Sequence, residues 1–315
     1  MASAAASVTV VGSYNTDLVF RAPRLPAPGE TVLGRGLRSG PGGKGANQAI
    51  AAARLGARVA LLGTIGQDAF GDAALALFRR EGIDARWVQR SATEPTGAAA
   101  ILLDEAGQNA IVVAPGANAA LTPARVQAAA PLLRGSRVVV AQLETPLEAV
   151  QEALAIARAA GVTTLLNPAP AQPLPASLLA LADLLTPNES EAALLAGRPV
   201  CDAAGAEAAA RALQTRGAAT VIVTLGAQGA LLVPPGAPAL HVPAPAVPVV
   251  DTTGAGDAFS GALAAGLAEG LALPAAVRLA VRAGAFSVGR AGAADAMPTR
   301  AELERFGDGN QPAAQ

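Results

Sequence analysis

The 315-residue sequence contains very few of the residues that most often carry metal, disulfide or nucleophile chemistry. It has one cysteine (Cys201), one histidine (His241) and one lysine (Lys44). A single cysteine excludes an internal disulfide and a cysteine-rich zinc site, and a single histidine excludes a multi-histidine metal centre. A Ser-His-Asp triad would have to use His241, and a Schiff-base enzyme would have to use Lys44.

Aromatic and charged residues are also scarce, at 3% and 15% of the sequence, and the formal net charge is −1. This balance provides no basic surface for nucleic acid. Hydrophobic residues make up 52% of the chain, but no uninterrupted apolar run reaches the roughly 20 residues that a membrane span needs. Residues 1–11 lack the basic start of a secretory signal. We therefore expect a cytoplasmic protein that binds neither nucleic acid nor membranes.

What the sequence does contain is a regular alternation of short apolar strands and alanine-rich helices. Predicted strands cover residues 7–11, 59–62, 137–143, 162–166, 184–186 and 220–225, and predicted helices cover 46–55, 69–81, 146–160, 189–195, 207–216 and 258–267. The alternation predicts a three-layer α/β fold, in which helices cover both faces of a doubly wound, mainly parallel sheet. We expect one domain over residues 1–306 and a flexible tail over 307–315.

Two segments interrupt this alternation, at about residues 14–40 and 96–115. The first contains several prolines and no helical period, and the second has two strand-like runs around a turn at 104–107. We predict that they form a small β-sheet that acts as a lid, because lids keep water away from reactive phosphoryl groups. The alternative is an ordinary extension of the main sheet.

The sequence Asp-Thr-Thr-Gly-Ala-Gly-Asp at residues 251–257 leads into a predicted helix. The small residues Gly254, Ala255 and Gly256 let backbone N–H groups converge at the helix N-terminus, where the helix dipole favours an anion. We predict an anion hole for a phosphoryl group here. Asp257 then serves as the base that accepts the proton of the attacking hydroxyl. The alternative is that Asp257 only complements the helix dipole.

A second glycine-rich stretch, Gly-Pro-Gly-Gly-Lys-Gly-Ala-Asn-Gln at residues 40–48, opens another predicted helix. No apolar strand leads into it, so it is not a dinucleotide fingerprint, and Gly45 stands where a Walker A loop needs Ser or Thr. Its glycines let the backbone approach a polyhydroxyl ligand, with Lys44 and Asn47 as donors. The alternative is a glycine-rich connection with an incidental lysine. Against it, the sequence uses arginine at every other Lys or Arg position, and the compact ammonium of Lys44 differs chemically from a planar guanidinium.

Polar residues also follow two predicted strands, at the edge where open α/β sheets bind ligands. Asn15 and Asp17 come after the first strand and are suited to hydrogen-bond sugar hydroxyls. The alternative for this pair is an Asx turn without a ligand. Glu144 follows the strand predicted over 137–143, so we expect it to project from the same edge.

Two later segments are candidates for nucleotide binding. Asn188 opens a predicted helix and Glu191 follows at capping-box spacing, so a purely structural role explains both. The functional alternative assigns Asn188 to phosphate and Glu191 to hydrated Mg²⁺. Thr224, Gly226 and Gly229 belong to a turn after the last predicted strand, which can lie against a nucleotide.

Together these motifs resemble the PfkB family of carbohydrate kinases, and within it the ribokinase branch. The resemblance extends from Val10 to about Pro298 and is carried by GSYNTDL (12–18), GGKGANQA (42–49), QLE (142–144), NPAPA (167–171), TPNESE (186–191), TLGAQG (224–229) and DTTGAGDAFSGAL (251–263). It implies a ribokinase-like fold whose β-sheet lid also forms a homodimer interface. It further implies phosphoryl transfer from MgATP to O5 of D-ribose, which yields ribose 5-phosphate and ADP.

The resemblance assigns roles to individual residues. It implies Asp257 as base, Gly254, Ala255 and Gly256 as anion hole, Asp17, Gly43, Lys44, Asn47 and Glu144 as sugar-binding residues, and Asn188, Gly256 and the 224–229 turn as nucleotide-binding residues. It implies a monovalent-cation site, potassium in relatives, at Asp251 and the backbone of Thr253, Ser287, Arg290 and Gly292. Ala296 departs from this pattern, since many relatives carry a hydroxyl ligand there, and the neighbouring Asp295 has no assigned role.

Three alternative functions follow from the same residues. A PfkB kinase for another sugar, such as 2-deoxyribose or fructose, is the nearest, because one hydroxyl can decide specificity. A catalytically silent sugar-binding sensor is disfavoured, because Asp257 and the glycines before it are present. A nucleotide-dependent dehydrogenase lacks the strand that its glycine fingerprint requires.

Overall fold

The computed structural model describes residues 7–307. Its strands are β1 (Ser7–Val11), β2 (Asn15–Arg21), β3 (Gly36–Gly42), β4 (Arg58–Gly66), β5 (Val88–Ser91), β6 (Gly97–Leu103), β7 (Asn109–Ala114), β8 (Val138–Ala141), β9 (Thr163–Leu166), β10 (Leu184–Leu185), β11 (Thr220–Thr224), β12 (Ala230–Val233) and β13 (Leu240–Val242). Its helices are α1 (Lys44–Arg54), α2 (Ala69–Arg80), α3 (Pro123–Ala128), α4 (Ala130–Arg134), α5 (Leu147–Ala159), α6 (Ala176–Leu179), α7 (Glu189–Ala196), α8 (Ala203–Thr215), α9 (Ala255–Glu269), α10 (Leu273–Ser287) and α11 (Arg300–Gly307). Short 3₁₀ turns lie at Gly116–Ala120, Gly226–Gln228 and Ala294–Ala296.

Nine strands form the main sheet, in the order β13-β12-β11-β10-β9-β8-β1-β4-β5. β12 pairs antiparallel with both of its neighbours, and the other strand pairs of this sheet are parallel. The first strand lies inside the sheet, between β4 on one side and β8 on the other. The chain therefore reverses its direction of winding at β1, and ligands of open α/β sheets bind at the carboxyl ends of the strands beside such a point.

Two helical layers cover the main sheet, and alternate strand residues face opposite layers. Val138 and Val140 of β8 pack in a core with helices α1, α2, α9, α10 and α11. Val139 and Ala141 pack in a second core with helices α3 to α8. This alternation explains why the strands are apolar along their whole length. The predicted three-layer architecture is confirmed.

The two segments that interrupt the alternation form a separate four-stranded sheet, in the order β3-β2-β6-β7. Within it β2 and β6 are parallel, and the outer pairs are antiparallel. The prediction of a small second sheet is confirmed, and the alternative, an extension of the main sheet, is wrong. Large apolar side chains on this sheet are exposed, among them Leu37 at 64% and Val112 at 69%.

The bounds of the predicted elements differ from the observed ones by no more than four residues. Helix α9 begins at Ala255, so Asp257 lies in its first turn, as the sequence predicts. Strands β5, β12 and β13 and helices α3, α4, α6, α10 and α11 are not predicted. Gly307 ends α11 and is not part of a tail, and residues 308–315 lie outside the described residues. Within residues 7–307, we find no helix with the length and apolar character of a membrane span.

Candidate active site

A cleft of about 190 Å³ opens where β9, β10 and β11 end. It is lined by residues that follow these strands and by the starts of three helices, α1, α7 and α9. Its lining includes Lys44, Asn167, Thr186, Asn188, Glu191, Thr224, Gly254, Gly256 and Asp257. The structure therefore brings together the glycine-rich helix starts, the candidate base and most of the predicted nucleotide-binding residues.

The start of α9 has the geometry that the predicted anion hole requires. Gly254 precedes the helix with φ 77°, a left-handed conformation that favours glycine, and a Cβ there would lie 3.1 Å from Cα of Ala293. The N–H of Ala255 donates to the carbonyl of Thr252, at 3.3 Å. No acceptor among residues 7–307 takes the N–H of Gly256, and a Cβ on Gly256 would meet no atom within 4 Å. A polar N–H therefore faces open space at the positive end of a helix dipole.

Asp257 is buried beside this helix start, with 5% of its surface exposed. Its Oδ2 accepts a hydrogen bond from Nδ2 of Asn47, and its Oδ1 accepts one from Nε2 of Gln48, each at 2.9 Å. Burial raises the pKa of Asp257, while the Lys44 ammonium and the two amide donors oppose that rise. A carboxylate with a raised pKa beside an anion hole is a suitable general base.

The close approach of two helices places Asp257 against α1. Gly261 lies one turn after Asp257 on α9, and a Cβ there would lie 2.5 Å from the carbonyl oxygen of Gln48 and 2.6 Å from Cβ of Ala51. Only a residue without a side chain allows the two backbones to meet at this distance. Because of this contact, two consecutive amide side chains of α1 reach one carboxylate on α9.

Lys44 is the first residue of α1 and follows Gly43, which has φ 87°. A Cβ on Gly43 would lie 2.6 Å from the backbone nitrogen of Asn15, so this position requires glycine. Burial lowers the pKa of Lys44, but the surrounding carboxylates, led by Asp257 and Glu144, raise it by more, so the ammonium stays charged. Lys44 lines the cleft beside the predicted nucleotide-binding residues, whereas the sequence grouped it with the sugar-binding ones.

The other predicted sugar-binding residues lie next to this cleft. Glu144 accepts hydrogen bonds at Oε2 from the Ser13 hydroxyl and from the backbone N–H of Lys44. Burial raises the pKa of Asp17 to about 6, with further contributions from the charges of Glu144 and Asp257. These mutual effects show that carboxylates from β2, from the loop after β8 and from α9 face a common region.

Asn15 is held in place by a residue that the sequence analysis does not identify. Asn118 donates from Nδ2 to Oδ1 of Asn15 at 2.8 Å, and it also donates to the carbonyl of Tyr14 and accepts from its N–H. Asn15 is 3% exposed and Asn118 is 1% exposed. Asn118 therefore fixes the connection between β1 and β2, and it lies about a hundred residues away in a segment with no local signal of this role.

Asn188 and Glu191 form the capping box that their spacing predicts. Oδ1 of Asn188 accepts from the N–H of Glu191, and Oε2 of Glu191 accepts from the N–H of Asn188, each at 2.8 Å. Burial raises the pKa of Glu191, which the Asn188 N–H and the Lys44 charge oppose. The structural alternative is confirmed. Both residues also line the cleft, and the box leaves Nδ2 of Asn188 and Oε1 of Glu191 unused, so their ligand roles stay predictions.

The predicted nucleotide turn begins at Thr224, which lines the cleft. Gly229 has φ 95°, and a Cβ there would lie 2.1 Å from the carbonyl oxygen of Val242, so the turn requires glycine at this position. Gly226 has φ 53° and faces open space. Nε2 of His241 lies 2.7 Å from the carbonyl oxygen of Gln228 in the same turn.

Asp251 connects the two segments of the predicted cation site. Its carboxylate accepts from the backbone N–H groups of Thr253 and Gly292, each at 2.9 Å. Burial raises the pKa of Asp251, but these hydrogen bonds and the Arg38 charge lower it by more. The Ser287 hydroxyl donates to the carbonyl of Gly284, so Ser287 offers only its backbone.

The Arg290 side chain also points elsewhere, since it pairs with Glu302 and stacks on Phe286. Its backbone carbonyl is therefore its contribution to the predicted site. In the described part of the chain, no three histidine, cysteine or acidic side chains converge as a metal-binding group.

The geometry defines a class of protein before any comparison. A buried carboxylate beside a helix-terminal anion hole, at the carboxyl edge of a mainly parallel sheet, is a phosphoryl-transfer site. Residues 5–300 match the pfkB family carbohydrate kinases, and the chain belongs to this family. The predicted family resemblance is confirmed.

Individual relatives match over nearly the whole chain. Ribokinase from Haemophilus influenzae is 41% identical over 300 residues, which cover 95% of this chain and 98% of that protein. Deoxyribokinase from Salmonella typhimurium is 37% identical over 302 residues, which cover 96% and 97%. The structure of Arabidopsis thaliana ribokinase in complex with ribose and ATP matches with a TM-score of 0.92 at 32% identity and covers 96% of this chain and 99% of that chain.

Proposed function

We propose that this protein phosphorylates D-ribose at O5 with MgATP to give D-ribose 5-phosphate and ADP. The observation that carries the proposal is the position of Asp257, a buried carboxylate held by two amides next to the open N–H of Gly256. The relatives named ribokinase support ribose as the acceptor.

The chain's own residues account for each requirement of in-line phosphoryl transfer. Asp257 orients the sugar O5 hydroxyl and accepts its proton as the oxygen attacks the γ-phosphorus. The bond to the β,γ-bridging oxygen breaks, and the leaving ADP takes the electron pair. The N–H groups at the start of α9 stabilise the charge that develops on the transferring group. The Lys44 ammonium, which lines the cleft and is kept charged by the carboxylates around it, supplies positive charge to the phosphates.

The oxygen donors of the cleft and of the neighbouring Asp251 segment fit the cations that the family resemblance implies. Glu191 retains one oxygen, and Mg²⁺ is typically held by one carboxylate, water and substrate phosphates. Asp251, held ionised, and the backbone carbonyls of Thr253 and Gly292 offer hard oxygen ligands to a monovalent cation. Such a cation would supply positive charge behind the anion hole. Identical rates in sodium, potassium and cation-poor buffer would contradict this assignment.

The second candidate substrate is 2-deoxyribose, because a deoxyribokinase is among the relatives. The two sugars differ by one hydroxyl, and a site built to hydrogen-bond that hydroxyl discriminates strongly against its absence. We would measure kcat/KM for ribose, 2-deoxyribose and fructose, and locate the product phosphate by phosphorus NMR. The proposal requires the highest value for ribose and a 5-phosphate product. A higher value for another sugar would replace ribose, and sugar binding without ADP formation would indicate a sensor.

The proposal includes a homodimer that forms through the small sheet, which also serves as the lid. Its exposed apolar side chains, among them Leu37, Ile111 and Val112, form a surface that a second copy could cover. Light scattering at micromolar concentration should give twice the mass of one chain, and a monomeric mass would contradict it. The cytoplasmic location, like the single-domain boundaries, stays a prediction.

A further inference from the structure

We propose that Gln48 is a positioning residue that fixes the orientation of Asp257 and keeps its carboxylate ionised. The inference rests on the proposed function, because it deepens the role of the same base. The family motif contains this glutamine, but neither the sequence nor the comparisons assign it a role. The assignment comes from its hydrogen bonds, its burial and its place on α1.

Gln48 uses both of its amide hydrogens within the site. Its Nε2 donates to Oδ1 of Asp257 at 2.9 Å and to Oδ1 of Asn167 at 3.0 Å. Its Oε1 accepts from Nε2 of Gln142 at 2.7 Å. Asn167 continues the network, because its Nδ2 donates to the carbonyl of Thr186 at 2.9 Å. A single amide therefore connects the candidate base to the ends of β8, β9 and β10.

The donors and acceptors of this hydrogen-bond network can be arranged in only one way. The Asp257 carboxylate accepts, so the amide nitrogen of Gln48 must face it. The oxygen of Gln48 must then face Gln142, whose nitrogen donates. A flip of Gln48 would set its oxygen against the Asp257 carboxylate and against Oδ1 of Asn167. Asn167 cannot flip in turn, because its Nδ2 donates to the backbone carbonyl of Thr186, so both hydrogen bonds of the Gln48 nitrogen would be lost. Gln48 therefore holds one oxygen of Asp257 at a fixed place.

Gln48 acts through Asp257 and not on the substrate. It is 1% exposed, does not line the cleft, and has all of its amide hydrogens engaged. Asn47, the other donor to Asp257, differs because its buried Oδ1 has no hydrogen-bond partner. Asn47 can reorient when a ligand binds, whereas Gln48 provides the fixed support. Buried polar groups of this kind are costly to leave unpaired, so the network holds its geometry.

The charge of Asp257 depends on the same contact. A hydrogen bond donated to an ionised carboxylate favours that form, and its loss raises the pKa. Lys44 is the cationic group near Asp257, and Asn47 and Gln48 are the neutral donors. The acidic groups whose charges interact with that of Asp257 are Glu144, Asp17 and Glu191. Without Gln48, the ionised base therefore forms only at higher pH.

The test replaces Gln48 by methionine, which has a similar length and donates no hydrogen bond. We expect kcat for ribose to fall by roughly 10- to 100-fold, KM for ribose to stay within about threefold, and the acid limb of the kcat–pH profile to move up by about one pH unit. Gln214→Met is the control, because Nε2 of Gln214 also donates two hydrogen bonds, at 2.9 and 3.0 Å, but from a half-buried position on α8. It should leave the profile in place.

A second variant covers the case in which Q48M does not fold. Q48E places a second carboxyl beside Asp257, and the like charges should move the acid limb up by at least as much. Folded variants with an unmoved acid limb would overturn the proposal, as would loss of folding in both, since the role would then be structural. Absence of ribose kinase activity in the wild-type protein would overturn the proposed function instead. The pKa of Asp257 from carbon NMR of the ligand-free wild type and Q48M would then still test Gln48.

Discussion

Replacement of Asp257 by asparagine should remove catalysis and preserve the fold. Each carboxylate oxygen now accepts from an amide nitrogen, from Asn47 at one oxygen and from Gln48 at the other. An asparagine side chain supplies only one acceptor, so its own nitrogen must face one of these donors. The Gln48 side cannot change, because Nε2 of Gln48 also donates to Oδ1 of Asn167, and the orientation of Asn167 is fixed by its own hydrogen bond to the backbone carbonyl of Thr186.

The Asn47 side can change. The Oδ1 of Asn47 is buried without a partner, so a flip of this amide presents an acceptor to the new nitrogen. Both hydrogen bonds of the position can therefore form in the Asp257→Asn variant. The free energy of unfolding should change by no more than about 1 kcal/mol, since hydrogen bonds are exchanged and a buried charge is removed. The flip alters the group that Asn47 offers to the sugar, so ribose affinity should change only several-fold.

Turnover should fall far more. The neutral amide cannot accept the proton of the attacking hydroxyl, and loss of a general base typically costs about 10² to 10⁴ in rate. We would measure ADP formation at saturating substrates, ribose binding by calorimetry and unfolding in urea. Asp202→Asn is the control. Oδ1 of Asp202 accepts from the N–H of Gly205 and so caps the N-terminus of α8, and asparagine caps helices equally well. Turnover within tenfold of wild type, in a folded variant, would refute the assignment of the base.

Three further predictions address the surroundings of the base. Lys44→Arg keeps the charge but replaces a compact ammonium with a planar group, so steady-state kinetics should show kcat lower by about tenfold or more; unchanged KM and kcat would contradict a specific role. Because the pKa of Asp17 is about 6, its carboxylate gains a proton as pH falls from 8 to 5. KM for ribose should therefore rise below pH 6, and a constant KM would exclude Asp17 as a hydrogen-bond acceptor for the sugar. Gly261→Ala should lower the free energy of unfolding, measured in urea, by about 1–3 kcal/mol, because its Cβ clashes with α1. Gly256→Ala should lower activity without loss of stability, because its Cβ enters open space. Equal losses of stability in the two variants would refute this contrast.

Much of this fold can be predicted from the sequence, because the hydrophobicity of its strands and the capping residues of its helices are visible in short segments. The β8 strand is apolar on both faces, as a strand covered by two helical layers must be. Asn188 and Glu191 carry the spacing of a capping box, and they form one. The prolines within residues 14–40 argue against a helix there, so a second β-sheet is the structure that the sequence predicts for this segment, and the segment forms one. Short edge strands such as β13 lack a comparable signal.

The support of the candidate base depends on contacts that no local pattern reveals. Gln48 and Asp257 are separated by 209 residues, and their hydrogen bond exists because α1 and α9 touch at a glycine. Gln48 follows Asn47 directly, so its proximity to a predicted site residue was visible in the sequence. The direction of its side chain, and the amides that complete its hydrogen bonds, follow only from the packed structure. Asn118, which holds Asn15, has no such neighbour in sequence.

Two glycines of α9 place Asp257 through opposite effects. Gly256 leaves open space beside the helix start, which is where a phosphoryl group can approach the free N–H. Gly261 leaves no space at all, because α1 occupies it. Asp257 lies between them in sequence, and both of its oxygens accept hydrogen bonds from α1, so the remaining approach to the carboxylate is from the cleft. A base that is rigid on one side and open on the other can meet a substrate hydroxyl without a rearrangement of its own, which is the preorganisation that efficient proton transfer requires.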